Sequence, residues 1–140
     1  MKLSKDFLRS TDFGLLVLRL SLGCLMLFHG VAKLQYGFGW IDGMLAQVGL
    51  PGFISYGVLL GEVVAPVLLM LGVWTRLSSA VFIGNMVVAV LLAHVGDLCS
   101  INAATGGLTL ELQYLYMLGA LALCFTGGGK FAVTKSSVLD

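Results

Sequence analysis

The sequence predicts an all-α fold: a four-helix transmembrane bundle with a short interfacial helix in its first long connection. Three observations predict it. Apolar residues make up 59% of the chain and charged residues only 11%, with a mean hydropathy of +1.01. A soluble domain of 140 residues has a large surface to keep wet, and about a quarter of its residues are usually charged, so lipid must cover much of this one. Four apolar runs recur along the chain, each close to the ~20 residues that a helix needs to cross ~30 Å of hydrocarbon. Basic residues gather at alternate span ends, the pattern of a multi-pass protein. The length suits one domain, residues 1–140, and a net charge of +1 argues against a nucleic-acid partner.

The first run covers about residues 13–34. Met1 to Arg9 supplies a basic start, but Arg19 interrupts the apolar stretch and no A-x-A site follows, so the segment reads as a helix and not as a cleaved signal peptide. The link from Gln35 to Gly52 holds Phe38, Trp40, Ile41, Met44, Leu45 and Val48 among small and polar residues. That suits a short helix in the membrane interface, anchored by Trp40. Gly49-Leu50-Pro51-Gly52 then turns the chain into the second run, about residues 53–74. Thr75 and Arg76 make a tight antiparallel connection to the third run, about 77–95. A polar, glycine-rich link precedes the fourth, about 108–126.

Lys2, Lys5, Arg9, Arg76, Lys130 and Lys135 all fall on one side if the chain crosses four times, against Lys33, Asp42 and Asp97 on the other. Both termini are therefore expected in the cytoplasm. Gly57, Gly61 and Ala65 form a small-xxx-small stripe that suits either a homo-oligomer or packing within the monomer.

Ionisable groups inside spans are expensive and are functional candidates by default. Arg19, Gly23, Met26, Gly30 and Lys33 share one face of the first helix, with His29 at its edge. At ~1.5 Å per residue, Arg19 and Glu62 come to similar depths, with Asn85 near them. An Arg19–Glu62 pair closed by Asn85 is expected, as a structural bolt or a proton relay. Nearer the outer surface, His29, Lys33, His94 and Glu111 lie at one level, where they could bind a small anion, a quinone head group or a metal, or simply snorkel among head groups. His94 is nine residues from Asn85, nearly opposite on a regular helix, so both face the centre only if the third helix is distorted. Pro66 lacks the amide that would bond the Glu62 carbonyl, so the second helix should bend there and leave a free acceptor.

Cys24, Cys99 and Cys124 have neither zinc nor redox spacing, and no metal site is assigned. Two histidines near an interface are weak evidence for haem. The methionines Met26, Met70, Met86 and Met117 are scattered over four helices and read as packing residues.

The run LRLSLGCLMLFHGVAKL (Leu18–Leu34) resembles the first helix of the DoxX family of bacterial membrane proteins. GLPGF (Gly49–Phe53), Glu62, LLMLGVWTRLSSA (Leu68–Ala80) and the closing GGGKF (Gly127–Phe131) follow in that family's order. Ala132-Val133-Thr134 stands where the family's closing motif usually has serine, a hydrophobe and aspartate. The resemblance implies a four-helix domain in the bacterial inner membrane, a link to quinone and thiol redox chemistry, and recurrent polar positions matching Arg19, His29, Gly30, Lys33, Glu62 and Arg76.

Three functions follow. The first is an oxidoreductase-associated subunit that binds a quinone-like molecule near the outer side. Without a flavin or nucleotide motif or a cysteine pair, a soluble redox partner or bound cofactor would have to carry the electrons. The second is a small-molecule exporter, and the third a non-catalytic anchor for a soluble enzyme. Whether Glu62 faces a cavity or a salt bridge bears on the choice between the first two.

Overall fold

A computed structural model describes residues 9–140; the basic residues Lys2 and Lys5 lie outside them. The described residues form five helices: α1 (Thr11–Tyr36), α2 (Gly39–Gln47), α3 (Gly52–Leu71), α4 (Thr75–Ala93) and α5 (Glu111–Thr126). Three of them, α1, α3 and α4, are long and apolar enough to cross a membrane. Helix α5 has 16 residues and spans about 24 Å, less than the ~30 Å hydrocarbon core. The fourth run is thus shorter as a helix than the expected 108–126, because residues 101–110 are held in a turn closed by the Ile101–Leu108 bridge.

The four long helices pack in a ring, α1 on α3, α3 on α4, α4 on α5 and α5 back on α1. Their shared core contains Leu22, Met26, Leu69, Phe82, Met86, Tyr116 and Leu123. Phe82 and Tyr116 meet with ring centroids 5.8 Å apart, within the favourable range for tilted aromatic pairs. The outward faces carry Leu25, Phe28, Leu91, Leu115, Leu118 and Phe125, all exposed. An apolar surface of that extent is suited to lipid and not to water.

Glycines set how closely α1 and α4 approach α3. A Cβ at Gly23 would lie 2.7 Å from the Pro66 carbonyl oxygen, and one at Gly30 would collide with the Glu62 carbonyl. At Gly61 it would enter the side chain of Asn85. Small residues let membrane helices bring their backbones together. Gly61 and Ala65 are therefore occupied inside the monomer and are buried, while only Gly57 has open space. Of the Gly57/Gly61/Ala65 stripe, Gly61 and Ala65 thus serve packing within the monomer.

Helix α1 starts at Ser10, whose hydroxyl accepts the Phe13 amide at 3.2 Å, a side-chain N-cap. Helix α3 ends at Gly72 in the left-handed region (φ 74°). There the Gly72 amide bonds Leu69 O and the Val73 amide bonds Leu68 O, the double closure of a Schellman motif. The connection to α4 is thus Gly72-Val73-Trp74, with Thr75 and Arg76 already in the helix.

The C-terminal segment packs over this turn. Val133 and Thr134 donate to the carbonyls of Leu71 and Gly72, and the Thr134 hydroxyl accepts the Trp74 amide at 2.8 Å. The Leu139 carbonyl accepts the amides of Arg76 and Leu77, which the start of α4 would otherwise leave unpaired. The Thr134 hydroxyl and the Ser137 amide hold the Asp140 carboxyl below the usual carboxylate range. Lys130 donates its amide to Asp12 at 2.8 Å, so both ends of the described chain meet at this end of the bundle. Helix α2 caps the other end, with Ile41 and Leu45 buried.

The glycine contacts yield a paired test. Gly30→Ala should lower stability in detergent by about 1–3 kcal/mol, the usual range for overpacking. Gly84→Ala, where a Cβ meets nothing within 4 Å, should leave it unchanged or slightly raised. Thermal unfolding of the two variants beside wild type measures the difference.

Candidate functional site

Helix α3 changes character around Glu62. Residues Leu60–Val64 form a π-helical turn, in which the Ala65 amide bonds Leu60 O, five residues back. Pro66 explains the irregularity: with no N–H it cannot bond the Glu62 carbonyl. The expected break is thus a π turn, a form that inserts one extra residue and often marks functional sites. The Glu62 carbonyl faces Gly30 on α1.

Glu62 is 3% exposed. Lys33 forms an ion pair with it, the ammonium donating to Oε1. Asn85 Nδ2 approaches the same oxygen at 3.5 Å, the outer limit of a hydrogen bond. Oε2 is buried and has no hydrogen-bond partner among the described residues. The Lys33 ammonium also lies 5.6 Å from the ring centroid of Trp40 on α2, in cation–π range. Three helices and the covering helix α2 therefore converge on one buried charge pair.

The expected Arg19–Glu62 pair is not formed. Arg19 is fully buried and turns towards the other end of the bundle, where Nη1 donates to the carbonyls of Leu69 (3.3 Å) and Met70 (3.2 Å). Those carbonyls belong to the last turn of α3, where the helix dipole favours a cation. Nε and Nη2 of Arg19 have no hydrogen-bond partner among the described residues. Depth along the helix axis placed Arg19 and Glu62 close together, but side-chain direction and the nearer open carbonyls separate them. Lys33 is the residue at the level of Glu62.

Above the pair lies a cavity of about 280 Å³. Its walls include Met26, His29 and Lys33 of α1, Trp40, Ile41 and Met44 of α2, Val58 and Glu62 of α3, and Asn85, Met86 and Ala89 of α4. Leu112, Gln113 and Tyr116 of α5 complete it, with His94 at the margin. Of the outer-layer candidates, His29, Lys33 and His94 line this cavity together with Glu62 and Asn85. Glu111 does not: it sits exposed on the first turn of α5, and Gln113 and Tyr116 take the inward positions. His94 and Asn85 reach one space because α4 stops at Ala93, and His94 (φ −137°, ψ 21°) has left helical geometry. Its Nδ1 lies 3.6 Å from Asp97 Oδ2. His29 is largely exposed, and its ring makes no hydrogen bond to another described residue.

Two wall residues were missed by sequence reasoning. Trp40 reads in sequence as an interface anchor, and nothing in the local pattern links it to Lys33. Tyr116 lies three residues after Gln113, on the same face of α5, and that spacing was the available signal.

Removing one member of a buried ion pair leaves an uncompensated charge, which costs about 3–5 kcal/mol. Lys33→Met should therefore destabilise the protein by that order, and the double variant Lys33→Met/Glu62→Gln should recover most of the loss. Thermal unfolding of the three proteins in one detergent checks both statements.

Comparison with known proteins places the chain in a family. No solved structure matches the chain. It is 29% identical over 119 residues to a Bacillus subtilis (strain 168) protein named "Putative oxidoreductase CatD", covering 85% of this chain and 83% of that one. It is 33% identical over 124 residues to an uncharacterized protein of Haemophilus influenzae, covering 86% and 88%. The family model named DoxX matches residues 14–95, a span that holds His29, Lys33, Glu62, Asn85 and His94. The chain is a membrane protein of the DoxX family.

Proposed function

We propose that this protein is an oxidoreductase-associated membrane subunit that binds a quinone-like small molecule in the cavity above Glu62. The observation that carries this reading is a ring-sized apolar space ending on a buried ion pair. An apolar cavity of roughly 150 Å³ takes up benzene, so about 280 Å³ has room for a substituted six-membered ring. A ligand tail would pass into lipid. The walls are apolar and sulfur-rich at Met26, Met44 and Met86, and polar only at a few points, the usual make-up of a small-molecule site. His29 would hydrogen-bond a ring oxygen, Lys33 would favour an anionic form, and Glu62 would accept a proton. The electrons would pass to or from a soluble redox partner or bound cofactor, since the sequence has no flavin or nucleotide motif and no cysteine pair. The name of the Bacillus subtilis relative points in the same direction.

In this reading the whole chain is one domain, and α5 crosses the bilayer with the other long helices. Arg9, Arg76, Lys130 and Lys135 then lie at the cytoplasmic end of a bacterial inner-membrane protein, with both termini there. The cavity lies towards the outer side.

The test is extraction of the protein purified in mild detergent, followed by mass spectrometry of bound small molecules. Wild type should carry a quinone, and His29→Ala and the cavity-filling Ala89→Phe should each reduce its yield about tenfold, the effect of losing ~1.4 kcal/mol of binding. A folded wild-type preparation that carries none overturns the reading and favours an anchoring role.

A further inference from the structure

We infer that the cavity selects the reduced, hydroxyl-bearing form of an aromatic ligand over the oxidised, carbonyl-bearing form; this rests on the small-molecule reading of the cavity above. The inference comes from the hydrogen-bonding state of the Lys33–Glu62 pair. An ionised carboxylate is acceptor-only and offers about four lone-pair positions on its two oxygens. Glu62 receives one full hydrogen bond, from Lys33, and one long approach from Asn85, both on Oε1. Oε2 receives none from the described residues, although Glu62 is almost wholly buried. Among the buried side-chain atoms left without a partner, it is the one that belongs to a cavity residue; the others are on Arg19, Thr75 and Ser79. The terminal torsion of glutamate is broad, so a donor arriving from the cavity need only turn the carboxylate to be met.

A carbonyl and a hydroxyl behave differently against this pair. A phenolic O–H can donate to Glu62 and accept from the Lys33 ammonium at once, so one group satisfies both partners. A quinone C=O can only accept from Lys33. It leaves the carboxylate short of donors and brings its own lone pairs towards a negative charge. Leaving a buried acceptor unmet is the expensive half of hydrogen-bond energetics. Sites built around a ligand O–H reject the analogue that lacks it for this reason. His29 does not reverse the preference, because a neutral imidazole donates at one nitrogen and accepts at the other. Tighter holding of the reduced form would raise the two-electron potential of the bound couple by about 30 mV for each tenfold of preference.

The test uses the full chain in lipid nanodiscs under argon, with tryptophan quenching as the readout and Trp74→Phe as background so that Trp40 alone reports. Menadiol should bind about tenfold tighter than menadione, the difference expected for one buried hydrogen bond. Glu62→Gln, whose amide both donates and accepts, should bring the two within about threefold. Because that variant removes half of the ion pair, a redox-inert pair tests wild type independently: 1-naphthol should displace menadiol and 1-methoxynaphthalene should not. Menadione binding as tightly as menadiol, or the methyl ether displacing as well as the naphthol, overturns the inference and leaves the small-molecule reading standing. Binding of none of the four overturns both.

Discussion

Burying the Glu62 carboxylate costs several kcal/mol unless a cation and hydrogen bonds meet it, and that requirement organises the α2 end of the bundle. Lys33 must reach across from α1, so the final turns of α1 are held against α3. Trp40 then packs beside the ammonium, which brings α2 down over the helix ends. Asn85 leans in from α4 and can do so because Gly61 has no side chain to exclude it. Four elements are located by one charge. The cavity is the space left where these side chains converge without filling the centre.

The irregularity of α3 belongs to the same arrangement. Pro66 disrupts the hydrogen-bond ladder, the π turn accommodates the fault, and Gly30 lets α1 lie against the Glu62 carbonyl. A regular helix would present Glu62 at a different angle, because one extra residue in the turn rotates everything that follows. Backbone and side-chain chemistry at Glu62 are thus coupled. The carbonyl is covered by a glycine, the carboxylate by a lysine, and both come from α1 four residues or fewer apart.

The bundle has two polar layers with different work. At the terminal end, Arg19 meets the last carbonyls of α3, and the segment ending at Asp140 closes the turn into α4. No cavity residue takes part there. At the α2 end, the charges surround a space. The first layer ties helix ends together, and the second borders the cavity. Thr134 also shows how the C-terminal turn is held here: its hydroxyl accepts the Trp74 amide and donates to Asp140, linking the tail to the start of α4.

Much of the fold was legible because lipid leaves a chain few options. Backbone groups in hydrocarbon must be paired within their own segment, so long apolar runs become helices, and Gly72, Gly37 and Gly127 mark where they stop. The family was legible from ordered short motifs, and the candidates His29, Lys33, Glu62, Asn85 and His94 from the rarity of polar groups in apolar runs. Which polar group meets which was not legible. Axial depth is one coordinate, and it put Arg19 beside Glu62; the direction of each side chain around its helix and the competing carbonyls at the end of α3 decided otherwise. The inward turn of His94 depended on where α4 ended, the absence of Glu111 from the wall on the rotation of α5, and the use of Gly61 on which neighbour packs against it. By itself the sequence determined that the chain is helical, membrane-suited and sparing with charge, because those properties follow from composition and period. Only the tertiary structure decided the partners and the cavity, because both depend on how the helices are rotated and brought together.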